Sequence, residues 1–155
     1  MRPALRVALW LPCVAISAGC VPWDSMPAPP GLGAGRAATV DRHNVKRAKH
    51  ARPALTKKKA ANKHAQYTAN RIAYQSGGGC VLSHSSGHEL LSWYQAKAGE
   101  NIGCIWGCID AKAAVQAFWS SPPHKAIILD GDFRRIGVGV QCTGDLSYFA
   151  VHFVR

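Results

Sequence analysis

Trp119-Ser-Ser-Pro-Pro-His124-Lys-Ala-Ile-Ile-Leu129 is the stretch that decides the fold, because it predicts a rigid corner between two helices. The second helix begins with Ser121 as a candidate N-cap and Pro122 at the first helical position. The titratable His124 therefore lies in a fixed first turn. About twenty residues upstream, Gly99-Glu100-Asn101-Ile102 places a carboxylate and an amide where a chain often enters or leaves a strand. If the fold joins the two stretches, they form a polar site.

Working outward, the N-terminus has the pattern of a secretory signal. A basic start is followed by an apolar run over Val7–Ala18, which is too short for a stable membrane-spanning helix. The run ends in Ile16-Ser17-Ala18-Gly19-Cys20, and small residues before a cysteine are typical of a bacterial lipobox. We therefore expect a lipoprotein-type signal peptide over residues 1–19 and lipidation of Cys20. Ordinary cleavage near Ser17 or Ala18 and free secretion is the alternative, because a lipobox usually has leucine in place of Ser17.

A tether is predicted to follow over residues 20–37. The stretch is rich in proline and glycine and lacks the apolar periodicity that packing requires, so we expect it to be semi-extended. The folded domain is then expected over residues 38–155.

The net charge of +11 is concentrated in one segment. Eleven lysines and arginines but a single acid lie between Arg36 and Arg71, whereas six basic residues balance six acidic ones from Ile72 onward. Lys57, Lys58 and Lys59 are predicted in the first turn of a helix, where the helix dipole disfavours cations. Either the helix begins later, or these lysines contact anionic lipid headgroups or envelope polymers. An ordinary solvated face is the alternative. No nucleic acid partner is expected, because no aromatic residues interleave with the lysines.

Helical patterns precede strand patterns along the chain. Helices are predicted over Thr39–Lys49, Thr56–Tyr74, Glu89–Ala96 and Ala111–Ser120, the last capped by Asp110, with a short strand over Val81–His84. In the second helix, small residues at Ala61 and Ala65 predict close packing. Alternating apolar residues on either side of Thr143-Gly144-Asp145 predict a terminal antiparallel hairpin. Together these patterns predict an α+β fold with helices packed on an antiparallel sheet.

Several short motifs recur in the order typical of the CAP superfamily, also called the SCP domain. They are His43-Asn44 with Arg47, Leu55, His84-Ser85, Gly99-Glu100-Asn101-Ile102, Ala114-Val115 with Trp119, Ser121-Pro122 with His124, Ile128-Leu129, Ile136-Gly137-Val138-Gly139-Val140 and the strand Tyr148 to Phe153. From about Ala38 to Arg155 the chain resembles the short bacterial secreted branch of this family. The resemblance implies a three-layer α-β-α sandwich with a central antiparallel sheet.

In that family a surface cleft is lined by two histidines and one or two glutamates. Carried over by motif, the resemblance implies a cleft formed by His84, Glu100, Asn101 and His124. The second glutamate of animal members is missing, because residues 120–123 read Ser-Ser-Pro-Pro. Pro123 replaces the usual glycine, and Ile127 replaces the asparagine usual in bacterial relatives.

Two imidazoles and a carboxylate meet the minimum ligand set for an open Zn²⁺ site, so His84, His124 and Glu100 are candidate ligands. The alternative is structural: His84 is hydrogen-bonded to Glu100, and His124 satisfies backbone groups. His88 and His152 are spare candidates. Nucleophilic catalysis requires a serine or cysteine held against a base, but Ser83, Ser85, Ser120 and Ser121 are only sequence neighbours of the histidines.

Four cysteines remain beyond Cys13 and Cys20, and an even number in an exported chain predicts two disulfides. The favoured pairing joins Cys104 to Cys108 around Trp106 and Cys80 to Cys142. A zinc site made of all four cysteines is the rival interpretation, which their irregular spacing disfavours.

Three functions follow as hypotheses. The preferred one is a non-catalytic extracytoplasmic binding module, attached to a bacterial membrane by a lipid or secreted, that holds a lipid or an anionic envelope component; lipid binding is implied by the family resemblance. The second is a metal-dependent hydrolase that uses the His/Glu cleft, with Glu100 as general base or ligand. The third is a protein-interaction module of the cell surface. The first and third require no cofactor.

Overall fold

The computed structural model describes residues 22–155, so the predicted signal peptide over residues 1–19 and the lipidation site Cys20 lie outside the described residues. The helices are α1 (Leu32–Ala48), α2 (Lys59–Ser76), α3 (Gly87–Tyr94), α4 (Ala111–Ser120) and α5 (Pro122–Leu129). The strands are β1 (Thr56–Lys57), β2 (Ala98–Trp106), β3 (Arg135–Thr143) and β4 (Leu146–Val154). Within residues 22–155, no helix is both long and apolar enough to cross a membrane.

The strands form one sheet in the order β1-β3-β4-β2. Strands β2 and β3 both pair antiparallel with β4, and β1 adds two residues parallel to the start of β3. The predicted terminal hairpin is therefore confirmed. Helices α1, α4 and α5 pack on one face of the sheet and α2 packs on the other. The predicted α+β fold, a three-layer α-β-α sandwich, is confirmed.

Side-chain alternation along β4 builds both cores. Phe149, Val151 and Phe153 are fully buried towards α1, α4 and α5, whereas the intervening residues face α2. The approach of α2 to the sheet is close, because a methyl group on Gly139 would collide with the backbone of Ala65. Ala65 itself is fully buried, as the small-residue pattern predicted.

The corner at residues 119–129 forms as its sequence predicts. Asp110 caps α4 by accepting a hydrogen bond from the amide of Ala113 at 2.8 Å. Ser121 occupies the N-cap position of α5 without a side-chain hydrogen bond, and Pro122 is the first helical residue. The end of α5 is held by the buried Arg47 of α1, whose guanidinium donates to the carbonyls of Ile128 at 2.7 Å and Asp130 at 2.9 Å.

The predicted tether differs from the structure. Helix α1 begins at Leu32, seven residues before the predicted cap at Thr39, and Gly31 precedes it with φ 76°. Leu32 is buried in the core, and the Gln141 side-chain amide donates to the carbonyl of Pro27 at 3.1 Å. The proline- and glycine-rich stretch therefore packs on the domain from the short 3₁₀ turn Trp23–Ser25 onward, because tertiary contacts outweigh its weak intrinsic helix propensity.

Three further local predictions are wrong. The first is the start of α2 at Thr56: the helix begins at Lys59, as the alternative of a later start stated, because Thr56 and Lys57 pair with β3. Residues 81–84 form a loop rather than a strand. Helix α3 ends at Tyr94, and Ser86 starts it through a capping box with Glu89.

The disulfide pairing is also corrected: Cys80 bonds Cys104 and Cys108 bonds Cys142. Cys104 lies within strand β2, which continues to Trp106, whereas Cys108 lies in the turn that follows the strand. Cys104 instead faces the loop that follows α2, with a Cα–Cα distance to Cys80 of 5.9 Å. Cys108 lies beside the hairpin, with a Cα–Cα distance to Cys142 of 5.6 Å.

Candidate functional site

Glu100 is the centre of the polar site. It lies on the edge strand β2 and pairs in register with His152 of β4, so both side chains point to the same face of the sheet. Its side chain is 2% exposed. One oxygen lies 2.8 Å from Nδ1 of His84 and accepts from the amide of Ser85 at 2.8 Å, and the other lies 3.0 Å from Nε2 of His152. Both carboxylate oxygens are thus used within the protein.

These donors keep Glu100 ionised. Burial on its own raises the pKa of the carboxyl, but the hydrogen bonds from His152 and Ser85 outweigh burial and lower the pKa to about 2. Because the carboxylate can only accept, Nε2 of His152 carries a proton directed at it. On the other side of the ring, Nδ1 of His152 lies 2.7 Å from the hydroxyl of Tyr94.

The buried part of this network is closed to solvent. His152 is fully buried, Tyr94 is 8% exposed, and burial followed by the nearby Glu100 charge raises the pKa of the Tyr94 hydroxyl. The ring of Trp93 stacks against His152 with centroids 5.8 Å apart and against His64 at 4.8 Å. Sequence analysis placed His152 only among the spare candidates, because its register with Glu100 depends on a strand pairing that spans 52 residues. The other spare candidate, His88, is exposed on α3.

His84 and His124 form the exposed side of the site. The side chain of His84 is 56% exposed, and His124 lies half-buried in the first turn of α5. Burial, followed by the charge of His84, lowers the pKa of His124. Asn101 points to the opposite face of β2 from Glu100 and donates to the backbone carbonyl of His124 at 3.2 Å. Hydrogen bonds therefore join the four predicted residues in two pairs. His84 contacts Glu100, and Asn101 contacts the backbone of His124 on the opposite face of the edge strand.

The donor set does not fit a catalytic zinc site. Such a site takes three protein ligands and an open position. Both oxygens of Glu100 are occupied by hydrogen bonds, which leaves only the imidazoles of His84 and His124 on the exposed side. Across residues 22–155, no group of three or more His, Cys, Asp or Glu side chains is arranged to hold a metal ion. We therefore assign no reaction step to a metal.

Three of the four neighbouring serines have hydrogen-bond partners other than His84 and His124. The hydroxyl of Ser85 lies 3.2 Å from that of Thr68, and Ser83 donates to Gln75 at 2.9 Å. Ser120 accepts from Gln116 at 3.2 Å. The four cysteines Cys80, Cys104, Cys108 and Cys142 are in disulfides. The site is thus a hydrogen-bond network with two accessible imidazoles at its surface, in which the buried side-chain oxygen of Asn101 has no hydrogen-bond partner within residues 22–155.

A second candidate site is a basic edge, which consists of Lys57, Lys58, Lys59, Arg134 and Arg135. The parallel pairing of β1 with β3 places Thr56 opposite Arg135, whose guanidinium donates to the Thr56 hydroxyl at 2.9 Å. All five side chains are exposed or half-exposed. Within residues 22–155 none of them has a carboxylate partner within ion-pair distance; the neighbouring Asp130 and Asp132 are both held by Lys97. Sequence analysis missed Arg134 and Arg135, although two adjacent arginines opening a strand pattern are a visible signal.

Comparison with known proteins places this geometry in context. The model of the family described as the Cysteine-rich secretory protein family, CAP, matches residues 40–154. The fold is similar to that of an extracellular protein containing an SCP domain from Bacillus anthracis, with a TM-score of 0.67 and 24% identity over 84% of this chain and 45% of that protein. It is also similar to NaASP2 crystallised with Zn²⁺, with a TM-score of 0.61 and 18% identity over 82% of this chain and 83% of that one.

A shorter match joins the chain to a curated bacterial protein. Over 59 residues it is 34% identical to the uncharacterized membrane protein YlbC of Bacillus subtilis (strain 168). The match covers 38% of this chain and 15% of YlbC. The chain therefore spans a small part of that relative and less than half of the Bacillus anthracis protein.

Proposed function

The chain belongs to the cysteine-rich secretory protein (CAP) family, and we propose that it is an extracytoplasmic, membrane-attached binding module that holds an anionic envelope polymer on its basic edge and performs no catalysis. The observation that carries the proposal is the unpaired cluster formed where β1 meets β3. Lys57, Lys58 and Lys59 come from one end of the domain sequence and Arg134 and Arg135 from the other, yet the parallel pairing gathers them on one edge. Surface cations without carboxylate partners attract polyanions.

The state of the His/Glu site supports a binding role over hydrolysis. The Glu100 carboxylate is buried, ionised and in contact with His84, Ser85 and His152, and its low pKa makes it a weak base towards water. Its contacts instead hold the loop around His84 and Ser85 onto the edge strand. We assign the network a structural role.

Export and membrane attachment are part of the same proposal. The predicted signal peptide over residues 1–19 and lipidation at Cys20 would place the domain outside the cytoplasm. The solved Bacillus anthracis neighbour is described as extracellular and the Bacillus subtilis relative as a membrane protein, which agrees with that placement.

The test is binding of soluble polyphosphate and, separately, of phosphatidylglycerol vesicles to the full chain. In the variant Lys57→Gln, Lys58→Gln, Lys59→Gln, each lost cation near an anionic surface removes about 1 kcal/mol, so polyphosphate affinity is expected to fall about 100-fold. Increasing salt should weaken wild-type binding.

The matched control removes the same charge elsewhere. Lys49, Lys63 and Lys112 are exposed and lie outside the basic edge, and their replacement by Gln is expected to change affinity only a few-fold. Equal losses in both triple variants, or no binding to polyphosphate, would contradict the proposal. Strong binding to vesicles with none to polyphosphate would identify the ligand as a lipid headgroup instead.

A further inference from the structure

A polar cavity of about 500 Å³, which we term the α2 cavity, lies between α1, α2 and the 3₁₀ turn Trp23–Ser25. Its charged and amide lining includes Arg36 of α1, Lys63 and Asn70 of α2, and Asp24 of the turn. None of these residues belongs to the His/Glu site or to the basic edge. A cavity of this volume is typical of a site for a small molecule.

Gln66 of α2 fixes the orientation of the polar groups that line the cavity. Its side-chain oxygen accepts from the N–H of Val140 at 3.1 Å, and its nitrogen donates to the carbonyl of Val140 at 2.7 Å. This pairing with the backbone identifies the two ends of the amide. The same nitrogen donates to Oδ1 of Asn70 at 2.8 Å, and the same oxygen accepts from Nη2 of Arg36 at 3.0 Å. Gln66 therefore holds both neighbours in place.

The remaining N–H groups of Asn70 and Arg36 are available to a ligand. Asn70 is only 5% exposed, and because its oxygen bonds Gln66, its Nδ2 carries two N–H groups that have no acceptor within residues 22–155. Nε of Arg36 donates to the carbonyl of Val138 at 2.7 Å and Nη2 donates to Gln66, whereas Nη1 has no acceptor within the same residues. Since buried polar groups are almost always hydrogen-bonded, these donors point to a ligand that supplies acceptors.

The charges of the cavity favour a ligand with one carboxylate. Neither Arg36 nor the exposed Lys63 has a carboxylate within ion-pair distance inside residues 22–155, and residues 1–21 contain no aspartate or glutamate. A guanidinium matches the geometry of a carboxylate through paired N–H bonds. The exposed Asp24 in the lining repels a second negative charge, so a polyanion such as polyphosphate is disfavoured here.

The rest of the lining fits a sugar ring. Met26 and Tyr67 supply its apolar part, and the ring of Tyr67, which is 38% exposed, packs edge-on against Trp93 with centroids 5.7 Å apart. The face of an aromatic ring is negative and attracts the C–H groups of a sugar, while the carboxylate of Asp24 accepts hydrogen bonds from hydroxyl groups. A sugar acid combines a carboxylate, hydroxyl groups and apolar C–H groups in one small molecule.

We propose that the α2 cavity is a binding site for a sugar acid. The ligand carboxylate bonds the free N–H groups of Arg36 and Asn70, the Lys63 ammonium adds to its attraction, and the sugar ring lies beside Tyr67. The site goes beyond the function proposed above and does not depend on polymer binding at the basic edge.

The test is an NMR titration of the ¹⁵N-labelled full chain with methyl β-D-glucuronide, a sugar acid. The glucuronide should shift the side-chain N–H signals of Asn70 and Arg36. Methyl β-D-glucoside has the same ring without the carboxylate, and acetate has a carboxylate without the ring. Each should bind about 10-fold more weakly than the glucuronide, because each loses one set of contacts.

Variants assign the effect to the cavity. Lys63→Gln should weaken glucuronide binding about 3-fold, and Asn70→Asp, which keeps an acceptor for Gln66 but replaces the NH₂ group by oxygen, about 10-fold or more. Lys59→Gln is the matched control, because Lys59 is exposed on the same helix outside the cavity, and it should leave the affinity unchanged. Thermal unfolding shows whether Asn70→Asp is folded; if it is not, the comparison of Lys63→Gln with Lys59→Gln decides.

Three results would overturn the proposal. The first is an affinity for the glucoside or for acetate equal to that for the glucuronide. The second is an equal effect of Lys63→Gln and Lys59→Gln. The third is the absence of shifts at Asn70 and Arg36. Polyphosphate binding at the basic edge is judged separately, because polyphosphate should leave the Asn70 side-chain signals unchanged.

Discussion

Replacing Glu100 by glutamine tests whether the buried network is structural. The pKa of its carboxyl falls from an ordinary value of 4.5 to about 2 in the folded chain. Because the folded state binds the proton less tightly than the unfolded state, ionisation stabilises the fold above pH 4.5, and this stability is lost as the pH falls towards 2. The difference corresponds to about 3 kcal/mol at neutral pH. The NH₂ group of the glutamine would also face the N–H of Ser85 or of His152, so that two hydrogen-bond donors would meet without an acceptor.

Urea unfolding at pH 7, 4.5 and 3 measures the effect. Glu100→Gln is expected to lose about 3 kcal/mol at pH 7 and to show a flatter pH dependence below 4.5 than wild type. The other glutamate is the control: Glu89 is half-buried and accepts from the Ser86 amide in the capping box of α3, an acceptor that glutamine retains, so Glu89→Gln should cost only about 0.5 kcal/mol through loss of the charge near the helix N-terminus. A Glu100→Gln variant as stable as wild type at pH 7 would refute the structural interpretation of the network.

Two further perturbations test the fold around the site. Burial, opposed by the hydrogen bond to Thr39, lowers the pKa of the fully buried His43 from 6.5 to about 4. The unfolded chain therefore binds a proton at a higher pH than the folded chain does. About 3 kcal/mol of stability should be lost as the pH falls from 6.5 to 4. In urea unfolding, His43→Gln should show less of this loss; an unchanged slope would exclude His43 as its source. Gly139→Ala should destabilise the chain by about 1–3 kcal/mol, because the methyl group meets the Ala65 backbone. Gly33→Ala in α1, where the methyl group meets open space, is the control, and equal melting temperatures for the two variants would contradict the close packing of α2.

The elements that sequence analysis predicted correctly are those with dense local signals. Asp110 caps α4, Pro122 opens α5, and the alternation around Thr143–Asp145 produces the hairpin, because capping, proline geometry and strand periodicity all act within a few residues. The order of motifs from His43 to Phe153 indicated the CAP family. These features fixed the class of fold.

The elements that sequence analysis missed depend on contacts distant in the chain. The disulfide partners of Cys80 and Cys142 follow from how far β2 extends and from the loop that packs beside it, which spacing alone does not reveal. The His152–Glu100 contact and the approach of Arg135 to Thr56 follow from strand register. In each case the sequence shows the residue type, but it does not show which residue lies in contact with it.

The N-terminal segment shows how tertiary packing overrides composition. Gly33 and Gly35 lower the helix propensity at the start of α1, and the prolines before it are typical of a linker. Leu32 and Val40 nevertheless insert into the core and stabilise the helix from its first turn. This early start makes residues 32–37 part of the folded domain rather than of the predicted tether over residues 20–37.

The most direct test of the account is a residue-resolved NMR titration of the ¹⁵N-labelled chain with soluble polyphosphate. The account predicts chemical-shift changes concentrated at residues 56–59 and 134–136, which disappear at high salt and in the Lys57→Gln, Lys58→Gln, Lys59→Gln variant. Changes concentrated instead at His84, Glu100 and His124 would contradict it, because they would return the function of the chain to the cleft.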